Sequence, residues 1–117
     1  KEVILAAAHA AMQADGAIPA VEVTDSLRTA ATSDVPSKAV DRSLLRAVQT
    51  PQAFRLSVLE KAYQLPYTPR FTDDASVVEA AGFTGIVLTP GSPENLKITN
   101  PSDIIVAEAI LRAQGKI

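Results

Sequence analysis

"AIPAVEV", Ala17 to Val23, is the stretch on which the fold turns. It is short, apolar almost throughout and β-branched towards its end, which is the pattern of a mostly buried strand rather than of a half-solvated one. Pro19 has no N–H to give to a ladder, so the start of this strand belongs at an edge or a bulge. Upstream, an alanine-rich run from Lys1 to Asp15 is helical in pattern with no capping residue before it, and Gly16 has the position of a left-handed residue closing that helix. Downstream the pattern dissolves: Thr24 to Lys38 is rich in Thr, Ser, Ala and Asp, carries Pro36, and has no core-facing stripe. That segment is an extended excursion, and Ala39 to Gln49 is a second extended stretch returning from it.

The return leads into "AVQTPQAF", Ala47 to Phe54, which begins as a strand and is stopped by Pro51. Leu56, Leu59 and Tyr63 then recur at helical spacing, and Pro66 and Pro69 impose a linker. Thr72 followed by Asp73 and Asp74 opens a further helix, with Thr72 as the hydroxyl cap and carboxylates at the positive end of the dipole. That helix ends at Gly82. Thr84 to Thr89 is strand-like, Pro90 to Pro93 a turn, and Leu96-Lys97-Ile98 a second short strand. Pro101 sits at a favoured first-turn position of the last helix, whose body runs from Ile104 to Ala113. The order α-β-arm-β-α-α-β-β-α predicts α/β layering. The strands are too few for a complete doubly wound sheet, which suggests part of a larger domain.

The chain has 117 residues, 47% of them hydrophobic, and a formal net charge of −2. Eleven basic against 13 acidic side chains are no nucleic-acid footprint, and no apolar stretch approaches the roughly 18 residues of a membrane span. With no cysteine and one histidine, His9, thiolate and histidine-rich metal sites are excluded. These features predict a soluble, cytoplasmic mixed domain.

Single residues carry little chemistry by themselves. Asp41-Arg42 is read most simply as a surface ion pair, although an arginine fork also matches phosphate oxygens. Alternation puts Lys97 on a solvent face; the other reading aims it at an anion at the edge of an α/β sheet. Thr72-Asp73-Asp74 serves as a cap and would also suit a phosphate or polyol. Ser26 and Thr50 are uninformative individually, and no glycine-rich phosphate loop occurs.

In order, the motifs say more. Val23-Thr24-Asp25-Ser26, Val40-Asp41-Arg42, Gln49-Thr50-Pro51-Gln52-Ala53-Phe54, Phe71 to Ser76, Asn95 to Thr99 and the closing "NPSDIIVAEAIL" together resemble the C-terminal half of the 2-C-methyl-D-erythritol 4-phosphate cytidylyltransferase family. The resemblance implies a Rossmann-like nucleotidyltransferase domain, of which residues 1–117 form the C-terminal portion, with an extended β-arm at about 24–42 used for dimerisation. It implies cytidylyl transfer from CTP to 2-C-methyl-D-erythritol 4-phosphate, with Mg²⁺, in non-mevalonate isoprenoid biosynthesis. It places Arg42 and Lys97 on the substrate phosphate, and Ser26, Thr50 and Thr72 as hydrogen-bonding groups for the substrate. Ser26 and Arg42 would serve the site of the neighbour in a homodimer.

Ser26 stands where the family has threonine, which keeps the hydroxyl. The family's glycine-rich CTP loop, its basic pair and its HDAARP-type segment precede the region seen here, so the CTP-binding residues are unassigned and residues 1–117 alone are expected to be inactive. The alternatives are a ribitol-phosphate cytidylyltransferase, which shares the TPQ region, and a non-catalytic remnant that retains dimerisation or sugar-phosphate binding.

Overall fold

Three strands make one mixed sheet, and the proline-bearing strand is its centre. A computed structural model describes residues 1–117, in the order α1 (Glu2–Ala11), β1 (Gly16–Glu22), a 3₁₀ turn (Arg42–Leu44), β2 (Arg46–Val48), α2 (Leu56–Ala62), α3 (Asp74–Ala80), β3 (Ile86–Pro90) and α4 (Pro101–Ala113). The sheet order is β2-β1-β3. β1 runs antiparallel to β2, with Ala20 opposite Val48, and parallel to β3, with Gly16 opposite Ile86.

Pro19 is therefore not on an edge strand. Ala17 exchanges both backbone hydrogen bonds with Ala53, at 2.8 and 2.9 Å, so alternate residues of β1 turn their main-chain groups to that side. Pro19 is the next such residue; its carbonyl accepts from the Gln49 N–H at 2.8 Å, and its missing donor faces the segment Gln49 to Gln52. Two residues of β1 separate Ala17 from Ala20, whereas four separate Val48 from Ala53 on the other strand. The bulge that accommodates the proline thus lies in its partner, at the TPQ turn.

α1 ends at Ala11 with Met12 as its C-cap, short of the full alanine-rich run. Gly16 is not a left-handed closing residue; only Gly82 and Gly115 have positive φ. Gly16 opens β1, and a Cβ there would collide with the Phe54 ring. Small side chains govern the packing here: Ala7 and Ala11 of α1 are buried, as are the adjacent Ala17 and Ile18, which point to opposite faces of β1. A second cluster joins Val58 and Ala62 of α2 to Val77 and Val78 of α3, flanked by Phe54, Phe71 and Phe83. The expected stripe of α2 is mostly outside: Leu56 and Tyr63 are exposed, and Val58 and Ala62, one turn apart, face the core instead.

The arm is less regular than a β-ribbon. One bridge, Arg28 to Ala39, joins its two limbs, supported by Thr29 N–H to the Lys38 carbonyl and Val40 N–H to the Leu27 carbonyl. The Arg28 guanidinium holds Ser37 through Nε to Oγ at 2.9 Å. The 3₁₀ turn interrupts the extended return expected over Ala39 to Gln49. Leu96-Lys97-Ile98 forms no strand; it is irregular chain leading to α4. No helix is long and apolar enough to cross a membrane.

Candidate functional site

The bulge in "QTPQ" sits between two flanks and is tied to both. On one side the Gln52 amide donates to Asp73 Oδ2 at 3.0 Å, and its oxygen accepts from the Ala75 N–H at 3.1 Å. On the other, Asn95 Nδ2 donates to the Thr50 carbonyl at 2.7 Å. The Thr50–Pro51 bond is cis. Between the flanks lies a cleft of about 530 Å³ whose lining includes Thr50, Thr72, Asp73, Asp74 and Lys97.

Thr72 is not the helix cap. Asp73 takes that position: Oδ1 accepts from the Ser76 N–H at 2.9 Å, while Ser76 Oγ accepts from the Asp73 N–H at 3.3 Å, a reciprocal capping box. The Thr72 side chain is exposed at the cleft rather than spent on the helix. Burial pushes the Asp73 carboxyl up, but hydrogen bonds from Gln52 and Ser76 outweigh it and hold the group below the ordinary carboxylate range. Asp74 is engaged too, accepting from the Tyr63 hydroxyl, and that bond raises the Tyr63 pKa, burial adding to it. Both carboxylates of the cleft are thereby committed to partners, leaving one lysine, two threonine hydroxyls and the exposed hydroxyl of Tyr67 to meet a ligand. That set suits an anionic, hydroxylated molecule, and neither threonine hydroxyl is hydrogen-bonded to a base that would activate it as a nucleophile.

Because its folded pKa is lowered, Asp73 binds fewer protons folded than unfolded, so its stabilisation is complete above the ordinary carboxylate range and is lost as pH falls through the lowered value. Asp73→Ala is expected to cost about 1–2 kcal/mol at neutral pH. In urea unfolding measured down the pH scale, wild type and variant should converge in acid. Asp73→Asn should keep the bond from the Ser76 N–H and lose the pH dependence together with the bond from Gln52, whose amide would then face a second donor.

Arg42 and Ser26 are elsewhere. Arg42 does not pair with Asp41; its Nη1 donates to the Thr24 carbonyl at 2.7 Å, tying the return of the arm to its start. It shares a separate hollow of about 420 Å³ with Thr24 and Arg46. Asp41 caps the 3₁₀ turn through Ser43, whose side-chain and backbone donors lower its pKa. Ser26 is exposed on the arm. The single ion pair is Arg55 to Asp15, at 3.7 Å. Within one chain, then, Thr50, Thr72 and Lys97 come together and Arg42 and Ser26 stand apart.

The arrangement has counterparts. The family model described as 2-C-methyl-D-erythritol 4-phosphate cytidylyltransferase matches residues 1–113. The chain belongs to that family. A cytidylyltransferase of this name from Rubrobacter xylanophilus is 50% identical over 105 residues, covering 88% of this chain and 45% of the relative. Its counterpart in Bacteroides thetaiotaomicron is 44% identical over 110 residues, covering 94% and 49%. The crystal structure of the Thermus thermophilus cytidylyltransferase superposes with a TM-score of 0.77 at 32% identity, over 95% of this chain and 55% of that one. The α/β fold resembles those of family members, and the chain spans about half the length of the curated relatives it matches.

Motif reading leaves Gln52 without a role and gives the cap to Thr72 rather than to Asp73. The signal for the cap is local, since Asp73 lies three residues before Ser76, the spacing of a capping box; nothing local marks Gln52, whose partners Asp73 and Ala75 lie 21 and 23 residues away.

Proposed function

We propose that these residues form the C-terminal portion of a cytidylyltransferase that joins CTP to 2-C-methyl-D-erythritol 4-phosphate and releases pyrophosphate, in the non-mevalonate route to isoprenoids. The observation that carries this reading is the convergence of Thr50, Thr72 and Lys97 on one cleft in a chain of this family. A phosphate oxygen of the sugar phosphate attacks the α-phosphorus of CTP; the bond to the β-phosphate breaks and its electrons leave with pyrophosphate. Both reactants are anions, so the Lys97 ammonium offsets repulsion and fixes the attacking phosphate, while the two hydroxyls orient it.

Arg42 and Ser26 reach a second subunit's cleft in this proposal, because nothing in their own chain occupies the arm's side chains beyond local ties such as Arg42 to Thr24. The protein would then be a cytoplasmic homodimer. Mg²⁺ would enter as the companion of the CTP substrate, offsetting the charge of its phosphates.

The test is pyrophosphate release by the intact enzyme carrying these residues, with CTP and either methylerythritol phosphate or ribitol phosphate. Turnover of the first supports the reading. Turnover of ribitol phosphate alone assigns the other polyol, and turnover of neither leaves the binding remnant.

A further inference from the structure

The first glutamine of "QTPQ" has no part in the chemistry above, yet its side chain makes three hydrogen bonds beside the cleft. Gln49 Nε2 donates to the Ser92 carbonyl at 2.8 Å, and Oε1 accepts from the Ser92 N–H at 3.1 Å. A primary amide thus meets both polar groups of one residue, pairing with it much as an adjacent strand would. Oε1 also accepts from Asn95 Nδ2 at 3.2 Å, and the same Asn95 nitrogen donates to the Thr50 carbonyl. Gly91 makes room for the clasp: a Cβ there would strike Gln49 Oε1 and come within 3.0 Å of the Ala20 carbonyl.

The clasp anchors the chain that carries the cleft's lysine. Lys97 is two residues beyond Asn95, in a segment that pairs with no strand. Residues 97 and 98 donate no backbone hydrogen bond to the rest of the main chain; the next anchor is the start of α4, where Asp103 Oδ2 accepts from the N–H groups of Thr99 and Asn100. The position of Lys97 relative to Thr50 is therefore set by the clasp on one side and the helix cap on the other.

The geometry points to Gln49 as a positioning residue that holds Lys97 in register with Thr50 through Ser92 and Asn95. The inference rests on the proposed role of Lys97 and deepens it: specificity for the sugar phosphate depends on an amide that need not touch it.

Kinetics of the intact enzyme test this. Gln49→Ala, and Gln49→Met, which keeps the bulk without the hydrogen bonds, should each raise KM for methylerythritol phosphate about tenfold or more and leave KM for CTP within roughly twofold. Asn95→Ala should act in the same direction. In a Lys97→Ala background the Gln49→Ala effect should shrink to less than about twofold, because the residue acts through the lysine. Hydrogen exchange supplies an activity-independent reading: the Ser92 amide should exchange at least about tenfold faster in Gln49→Ala, with the Ala53 amide unchanged.

Equal effects on both substrates, a full effect in the Lys97→Ala background, or faster exchange throughout the chain would each overturn the inference and reduce Gln49 to a stabilising contact. A wild-type enzyme that releases no pyrophosphate with methylerythritol phosphate would sink the functional reading instead, and the Ser92 amide would still decide whether the clasp exists.

Discussion

Lys97→Ala in the intact enzyme is expected to slow pyrophosphate release roughly 10- to 150-fold, and Arg42→Ala by a similar factor, since each removes a charge-assisted phosphate contact of about 1.5–3 kcal/mol. The two cations differ in setting. Lys97 shares its cleft with Thr50 and Thr72, whereas Arg42 lies in another hollow of the same chain. One guanidinium donor is spent on the Thr24 carbonyl, and the remainder of its five N–H groups are available to phosphate. If Arg42 completes the cleft of a partner subunit, the two variants complement each other. Random mixing after dissociation would place one wild-type site in each heterodimer, restoring roughly a quarter of the wild-type rate. Absence of any recovery on mixing would place Arg42 in its own chain's site or outside catalysis; near-wild-type rates in both single variants would remove both residues from the mechanism.

The second large effect concerns the packing behind the cleft, in the cluster that reaches it through Val77. Val78 is fully buried and packs with Val58, Ala62 and Val77 in the cluster that holds α2 against α3. Val78→Asp would put a carboxylate where no partner is present, a change of at least about 4 kcal/mol among the rare severe classes. Val78→Ala removes two methyl groups and should cost about 1.5–3 kcal/mol. Because Thr72 and Asp73 immediately precede α3, separation of this helix pair dismantles one wall of the cleft. The expected result is a loss of cooperative thermal unfolding for Val78→Asp and a lowered midpoint with retained cooperativity for Val78→Ala. A Val78→Asp protein melting at the wild-type temperature would show that the cluster contributes little.

Local chemistry makes most helices and two of the strands legible. Pro101 and Gly115 bracket α4 as sequence rules require, and Gly82 closes α3. The features that escape are set by distant neighbours. Gly16 is read from sequence as the end of a helix, but its lack of a side chain serves Phe54, brought back from across the sheet. Pro19 suggests an edge because a lone strand shows no sign that its partner carries the bulge. Leu96-Lys97-Ile98 alternates like a strand and yet finds no neighbour to pair with. For the site, the motif residues Thr50, Thr72 and Lys97 can be named from sequence, whereas Gln49, Gln52 and Asn95 cannot. Amides betray their partners only after the chain has folded.

The parallel pairing of β1 with β3 also orders events in time. Its first rung joins Gly16 to Ile86, 70 residues apart. At about 5–20 residues per second, a ribosome needs roughly 4–14 s to cover that interval. Over it the arm and the TPQ turn follow β1 out of the tunnel with no third strand to dock on, and Lys97 emerges after β3. The cleft can close only after this slow, non-local step, so a nascent chain spends those seconds with its central strand open on one side, the interval in which chaperone capture or misassociation competes with folding.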